Sequence, residues 1–446
     1  MFRKGLLFTA FANNTPCSSA LIDRVGSSPV WFFSVLQKRS MTKHRRVQDR
    51  SKKKRVHDLE TATECWKVVS KILVIMEVLK NEPEQVIPLR RLEQYRQKLS
   101  LGESHKVRDF IRKSPKLFET YRDKRGVMWC GLTEKADDLV EEEARLLEEH
   151  SEHAIEYVTR LLMMSVDKRL PVDKIAHFRR DMGLPYDFRN RWIHMFPEHF
   201  KVVKIEDDEY LQLTSWNPSW AVTKLEKKVM MAGVISEPPS EPGILSLPFP
   251  MNFPPNYKVS RHGERIDNFQ KRAYLSPYAD ARGLVPGSQE FDKRAVAIMH
   301  EILSFTIEKR LVTDHLTHFR HEFVMPQKLM RLLLKHFGIF YVSERGKRFS
   351  VFLKEAYDRS ELIDKCPLVH WREKVLRLTG YRGRRNRLKN YSESSDSEDD
   401  LIGNYFDKES ISIDDQDDES LGAMDDTRIM DDSEMDVKEV NDAYDY

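Results

Sequence analysis

Cysteine is scarce in this 446-residue chain: Cys17, Cys65, Cys130 and Cys366 stand far apart, with no CxxC or HxxxH among them. Such spacing writes neither a zinc site nor a disulfide framework. It fits a reducing compartment in which single cysteines serve as small core residues. Long apolar runs are missing as well. Stretches such as ILVIM at Ile72–Met76 fall far short of the roughly 20 residues needed to cross a bilayer, so no membrane insertion is expected. A Gly-rich phosphate loop, HExxH, GxSxG and, before the C-terminal tail, a spaced acidic trio are all absent. Neither catalysis, a metal nor a cofactor is expected.

Charge of one sign is missing at each end. Residues 1–48 hold a single acid, Asp23, beside Arg3, Arg24, Arg39, serines and bulky apolar residues, the composition of an organelle transit peptide over about residues 1–43. The mitochondrion is the first reading and the chloroplast the alternative. Residues 392–446 carry 21 Asp and Glu against 3 Lys and Arg, a net of −18 that leaves +21 for residues 1–391 when the whole chain is +3. The tail therefore reads as a disordered acidic segment, and the remainder as a partner for a polyanion such as RNA or DNA.

What is abundant is repetition. LPVDKIAHFRRDMGLP from Leu170 and LVTDHLTHFRHEFVMP from Leu311 are close copies, and IPLRRLEQYRQKLSLG from Ile87 is a worn third. A unit written three times is read before local detail. Each copy follows an amphipathic helix with apolar residues at three and four spacing, holds a brief apolar strand and a second helix, and precedes a third helical pattern. Asp173 and Asp314 are candidate N-caps for the second helix. The period then shifts toward two in LFETYRDKRGVMWCGLT, FKVVKIEDDEYLQLT and FYVSERGKRFSVFL, which read as hairpins.

The expected fold is mainly α with short β-hairpins, an α+β chain of three winged-helix-like modules at 64–134, 151–215 and 291–355. A basic arm at 44–63 precedes them, and a C-terminal extension at 356–391 leads to the acidic tail at 392–446. A Pro- and aromatic-rich connector at 236–290 joins modules two and three; its prolines argue against helix and central strand, and its aromatics argue for ordered, irregular packing across the modules. Phe178 and Phe319 of the repeated His-Phe-Arg read as core anchors, with Arg179 and Arg320 on the exposed side of their helices.

Candidate phosphate contacts fall in four places. The arm supplies Lys52, Lys53, Lys54 and Arg55; the first hairpin tip supplies Arg122, Lys124 and Arg125; the third supplies Arg345, Lys347 and Arg348. The second tip, Glu206–Glu209, would be repelled by phosphate. The densest cluster is Arg382, Arg384, Arg385, Arg387 and Lys389, interleaved with Gly and Tyr. Arginine forks grip phosphate there and planar groups can stack on bases.

The arm RVQDRSKKKRVHDLE together with FIRKSPKLFETY, MFPEHFKVV…YLQLTSW and FPMNFPP…QKRAYLSPY resembles the plant organelle RNA recognition domain over roughly residues 44–380. The resemblance implies a nuclear-encoded plant protein imported into an organelle, where it binds RNA and promotes group II intron splicing without chemistry of its own. Its expected partners are intron-containing precursor transcripts and other splicing factors. Two rivals are an organellar winged-helix DNA-binding protein and a protein-interaction scaffold.

Overall fold

The computed structural model describes residues 56–99, 101, 105–231, 246–254, 259, 263–317, 319–343 and 348–381. The transit-like segment and the acidic tail lie outside them. Helices and small antiparallel sheets alternate along the chain, an α+β architecture.

One order of elements recurs three times. The first module has α1 (His57–Lys80), β1 (Val86–Pro88), α2 (Leu89–Leu92), α3 (Val107–Arg112), β2 (Phe118–Arg122) and β3 (Met128–Leu132). Helix α4 (Glu134–Glu149) leads to the second, with α5 (Ser151–Met164), β4 (Arg169–Pro171), α6 (Val172–His177), α7 (Arg179–Met182), β5 (Phe200–Ile205) and β6 (Asp208–Leu213). After α8 (Lys224–Met231) and α9 (Gly263–Lys271) comes the third, with α10 (Gln289–Phe305), β7 (Arg310–Val312), α11 (Thr313–Thr317), α12 (Leu329–Lys335), β8 (Phe340–Ser343) and β9 (Ser350–Leu353). The short hairpin β10–β11 (Tyr357–Asp358 and Glu361–Leu362) and α13 (Pro367–Leu378) close the described chain.

In each module the short strand pairs antiparallel with the last strand, giving sheet orders β1-β3-β2, β4-β6-β5 and β7-β9-β8. The registers correspond: Ile87 faces Cys130, Leu170 faces Leu211 and Leu311 faces Val351, and all six are fully buried. Burial pushes the Cys130 thiol up to about 12, as for an inert core cysteine. The residue entering each short strand has positive φ, 55° at Gln85, 55° at Lys168 and 48° at Lys309. The same sharp turn is thus built three times in a backbone region that non-glycine residues rarely adopt.

Several expectations need correction. Helix α1 starts at His57, inside the stretch assigned to the arm. The second helices are entered directly from the strand: Pro171 is the N-cap of α6, and Asp173 lies in its first turn and pairs with Arg189 at 2.5 Å. The third helix of module two is a single turn, Trp192–His194, lying between Pro185 and Pro197. The connector does contain a helix, α9, because no proline occurs between Pro255 and Pro277. Its aromatics Phe249, Phe269, Tyr274 and Tyr278 are buried, and Gln270 brackets the Phe249 backbone with two 2.8 Å hydrogen bonds.

Modules two and three share one core with the connector, whereas module one shares a second with α4 and α13. The first core is arranged about a pseudo-twofold axis. Arg160 and Glu301 occupy equivalent positions, 141 residues apart, and form a buried ion pair at 2.5 Å. Phe178 stacks on its counterpart Phe319 with centroids 5.1 Å apart. Contacts away from the axis come in reciprocal pairs: the Val166 amide donates to the Glu322 carbonyl at 3.0 Å, and the Ile307 amide to the Asp181 carbonyl at 2.8 Å. Lys174 pairs with Glu322, while His315 stands 4.0 Å from Asp181. Reciprocity of this kind is the signature of an isologous dimer interface, here formed within one chain.

The ion pair on the axis is fully hydrogen-bonded. Arg160 also donates to Glu156, to the Val222 carbonyl and to the Tyr278 hydroxyl, at 2.7, 2.7 and 2.9 Å. Glu301 accepts from Tyr278 at 2.9 Å and from the Lys224 amide at 3.0 Å. Satisfied in this way, the pair offsets the cost of burying two charges. It ties both modules to the connector.

Candidate nucleic-acid interface

The first hairpin tip is a tight loop. The Asp123 amide donates to the Val127 carbonyl at 2.9 Å, the Gly126 amide donates to the Asp123 carbonyl at 2.8 Å, and Gly126 supplies the positive φ of 79° that closes the turn. Arg122, Lys124 and Arg125 are exposed around it. Among the described residues no ion pair engages these three cations, so they are available to an external anion.

The other tips differ. At the second, Glu206 adopts φ 55° and Glu206–Glu209 are exposed. Arg189 draws two acids of that side together, holding Glu209 at 3.0 Å and Asp173 at 2.5 Å. At the third, Arg348 stands 3.6 Å from Asp314, both largely exposed; a pair of this kind is worth about 0–1 kcal/mol and yields readily to phosphate. Arg345 and Lys347 lie outside the described residues, as do Lys52, Lys53, Lys54 and Arg55 of the arm and Arg382, Arg384, Arg385, Arg387 and Lys389 of the C-terminal cluster. The structure therefore brings together only Arg122, Lys124 and Arg125 of the predicted set.

Arg179 and Arg320 are not on an exposed helix face. Arg320 is half-buried and donates to the Gln327 carbonyl at 2.9 Å. Arg179 and Arg180 both donate to Glu77 of α1, Arg179 at 2.8 Å, and so clamp module two to module one. Burial works against the charge on Glu77, but Arg180 and Arg179 more than offset it and hold its pKa below the ordinary value.

That clamp borders a groove of about 540 Å³ between α1, α4, α7 and α13. Its rim carries the exposed Tyr186 and Met195, and the Arg179 guanidinium lies 5.2 Å from the Tyr186 ring centroid. The groove also contains Glu77, Glu143 and Glu148, and α4 bears eight Asp and Glu against two Lys and Arg. The other walls supply Lys80, Arg179, Arg180, Arg191 and Arg372, so the groove is of mixed charge, and only its α4 side repels phosphate. Sequence reading missed the groove because its walls come from four separated segments.

A family model described as the plant organelle RNA recognition domain matches residues 54–384. Among curated proteins, the chain is 34% identical over 379 residues to Protein WHAT'S THIS FACTOR 1, chloroplastic, of Zea mays, covering 84% of this chain and 75% of that one. It is 36% identical over 315 residues to the chloroplastic homolog of Arabidopsis thaliana, covering 69% and 59%. To Protein WHAT'S THIS FACTOR 9, mitochondrial, of the same plant it is 25% identical over 312 residues, covering 69% and 78%. No solved structure matches. The family match takes in all three repeated modules, the connector and α13, and on that coverage the chain belongs to the plant organelle RNA recognition domain family.

Proposed function

We propose that this protein is a non-catalytic RNA-binding cofactor for group II intron splicing in a plant organelle, and that its three modules are winged-helix-like. The observation that carries this reading is the family match over residues 54–384. The +21 charge of residues 1–391 supports it, because a cationic protein relieves phosphate repulsion between packed RNA helices and leaves the chemistry to the RNA. Duplex DNA is the weaker reading. A groove reader needs a polar, exposed third helix, whereas α12 buries Leu329, Leu332 and Leu333 and module two has only one turn there.

Residues 1–48 read as an address for the mitochondrion first and the chloroplast second. Among the relatives above, two are named chloroplastic and one mitochondrial, which supports an organelle without favouring the mitochondrion. One experiment tests both matters. Crosslinking and immunoprecipitation from isolated mitochondria and isolated chloroplasts, followed by sequencing, is expected to enrich intron-containing precursors from one organelle. Recovery of DNA alone, or of no nucleic acid, would overturn the proposal.

A further inference from the structure

A second cavity, of about 200 Å³, lies where module two, the connector and module three meet, with Lys168, Trp216, Asp280, Arg282 and Arg294 in its lining. Pockets for drug-sized ligands run from about 300 to 1,000 Å³, so this one suits a single small polar group. Its cations outnumber its acid three to one.

Arg294 is 1% exposed. It donates from Nη1 to the Phe323 carbonyl at 2.9 Å, while its Nε has no hydrogen-bond partner, and among the described residues no ion pair engages it. Burial lowers its pKa to about 10, with Asp280 pulling the other way, so it is charged at neutral pH. A buried guanidinium without a counter-ion is costly, and its planar fork matches a phosphate. The only carboxylate in the lining, Asp280, is mostly exposed and stands 3.9 Å from Arg282.

Lys168 sits at the positive-φ turn. Its ammonium donates to the Met163 carbonyl at 2.6 Å and lies 5.1 Å from the ring centroid of Trp216, whose indole is 44% exposed. The dyad-related position keeps the lysine and its carbonyl bond but not the second cation. There Lys309 donates to the Ser304 and Thr306 carbonyls at 2.8 and 2.9 Å, with Asp364 and Cys366 near enough to act on its charge, and Arg294 is replaced by His153. The pseudo-symmetry is broken where the cavity opens.

We infer that this cleft is a single-nucleotide site for single-stranded RNA, which takes a backbone phosphate against Lys168 and Arg294 and stacks the adjoining base on Trp216. The inference rests on the RNA-binding reading and deepens it. An unstacked base is needed, so duplex RNA is excluded from the site. Binding of a labelled single strand of about 12 nucleotides, within usual single-strand site sizes, is measured by anisotropy at several salt concentrations, beside a duplex of the same sequence. Trp216→Ala is expected to weaken single-strand binding about tenfold with the salt slope unchanged, because an indole releases no counterions. Trp216→Phe should recover most of the loss, and duplex binding should not move. Unchanged single-strand affinity in Trp216→Ala, or an equal loss on strand and duplex, would overturn the site. Failure of the unaltered protein to bind either RNA would overturn the broader function with it.

Discussion

Phe178→Ala and Phe319→Ala are each expected to lower stability by about 3–5 kcal/mol, the usual cost of truncating a buried phenylalanine. Each ring is essentially unexposed and stacks on the other across the pseudo-twofold axis. Either change therefore removes packing from modules two and three together, and the two should melt as one unit rather than one module alone. The double variant should lose less than the sum of the singles, because the shared contact is removed only once. Glu301→Ala, on the same axis, should cost about 1–3 kcal/mol by leaving buried donors of Arg160, Tyr278 and the Lys224 amide without their acceptor, while Arg160 keeps Glu156 as its counter-ion. Urea or thermal melts of the full chain check all four variants. A Phe178→Ala protein that keeps its stability and loses only RNA affinity would show the ring to be a stacking surface.

The second large effect is expected at the charged C-terminal region. Replacing Arg382, Arg384, Arg385 and Arg387 with Gln should flatten the salt dependence of single-strand RNA binding by about 0.7 per lost contact, or about 2.8 if all four touch phosphate, with no change in melting. Removing residues 392–446 should act in the opposite sense. A tethered segment of net charge −18 directly after that cluster has a high effective concentration and competes with RNA most strongly at low salt. Titrations at several salt concentrations separate the two. Unchanged low-salt affinity on tail removal would reduce the tail to a solubilising appendage.

The repeats were legible because helical and strand periods are local, and so were the exposed cations at the first hairpin tip. Why two copies stayed so alike was not legible from each copy alone. Aligning them at an offset of 141 places Arg160 on Glu301 and Lys174 on His315, with Asp181 on Glu322. These positions meet across a dyad, with opposite charges on the axis. The offset was visible in the sequence; the dyad was not. The docking of α13 and the cavity beside Trp216 escaped for a different reason. Lys168, Trp216 and Arg294 share no local pattern, and only the packing of three segments brings them together. Helix α9 is hidden by the connector's overall proline density, although the prolines lie outside the span between Pro255 and Pro277.

The sharing of one core between the first module and α13 also sets an order in time. Trp371 donates to the Leu139 carbonyl across 232 residues of chain, and Leu368 and Val375 are buried in the same core. A chain leaving the ribosome N-terminus first thus makes the first module early but cannot complete it until α13 has emerged. Contacts so distant in sequence form slowly, and until then the apolar side of α4 has no lid, a standing invitation to holdase chaperones. Pulse-labelled hydrogen exchange during refolding is expected to protect α10 before α4, and simultaneous protection of the two would show that the distant contacts of α13 do not delay the first module.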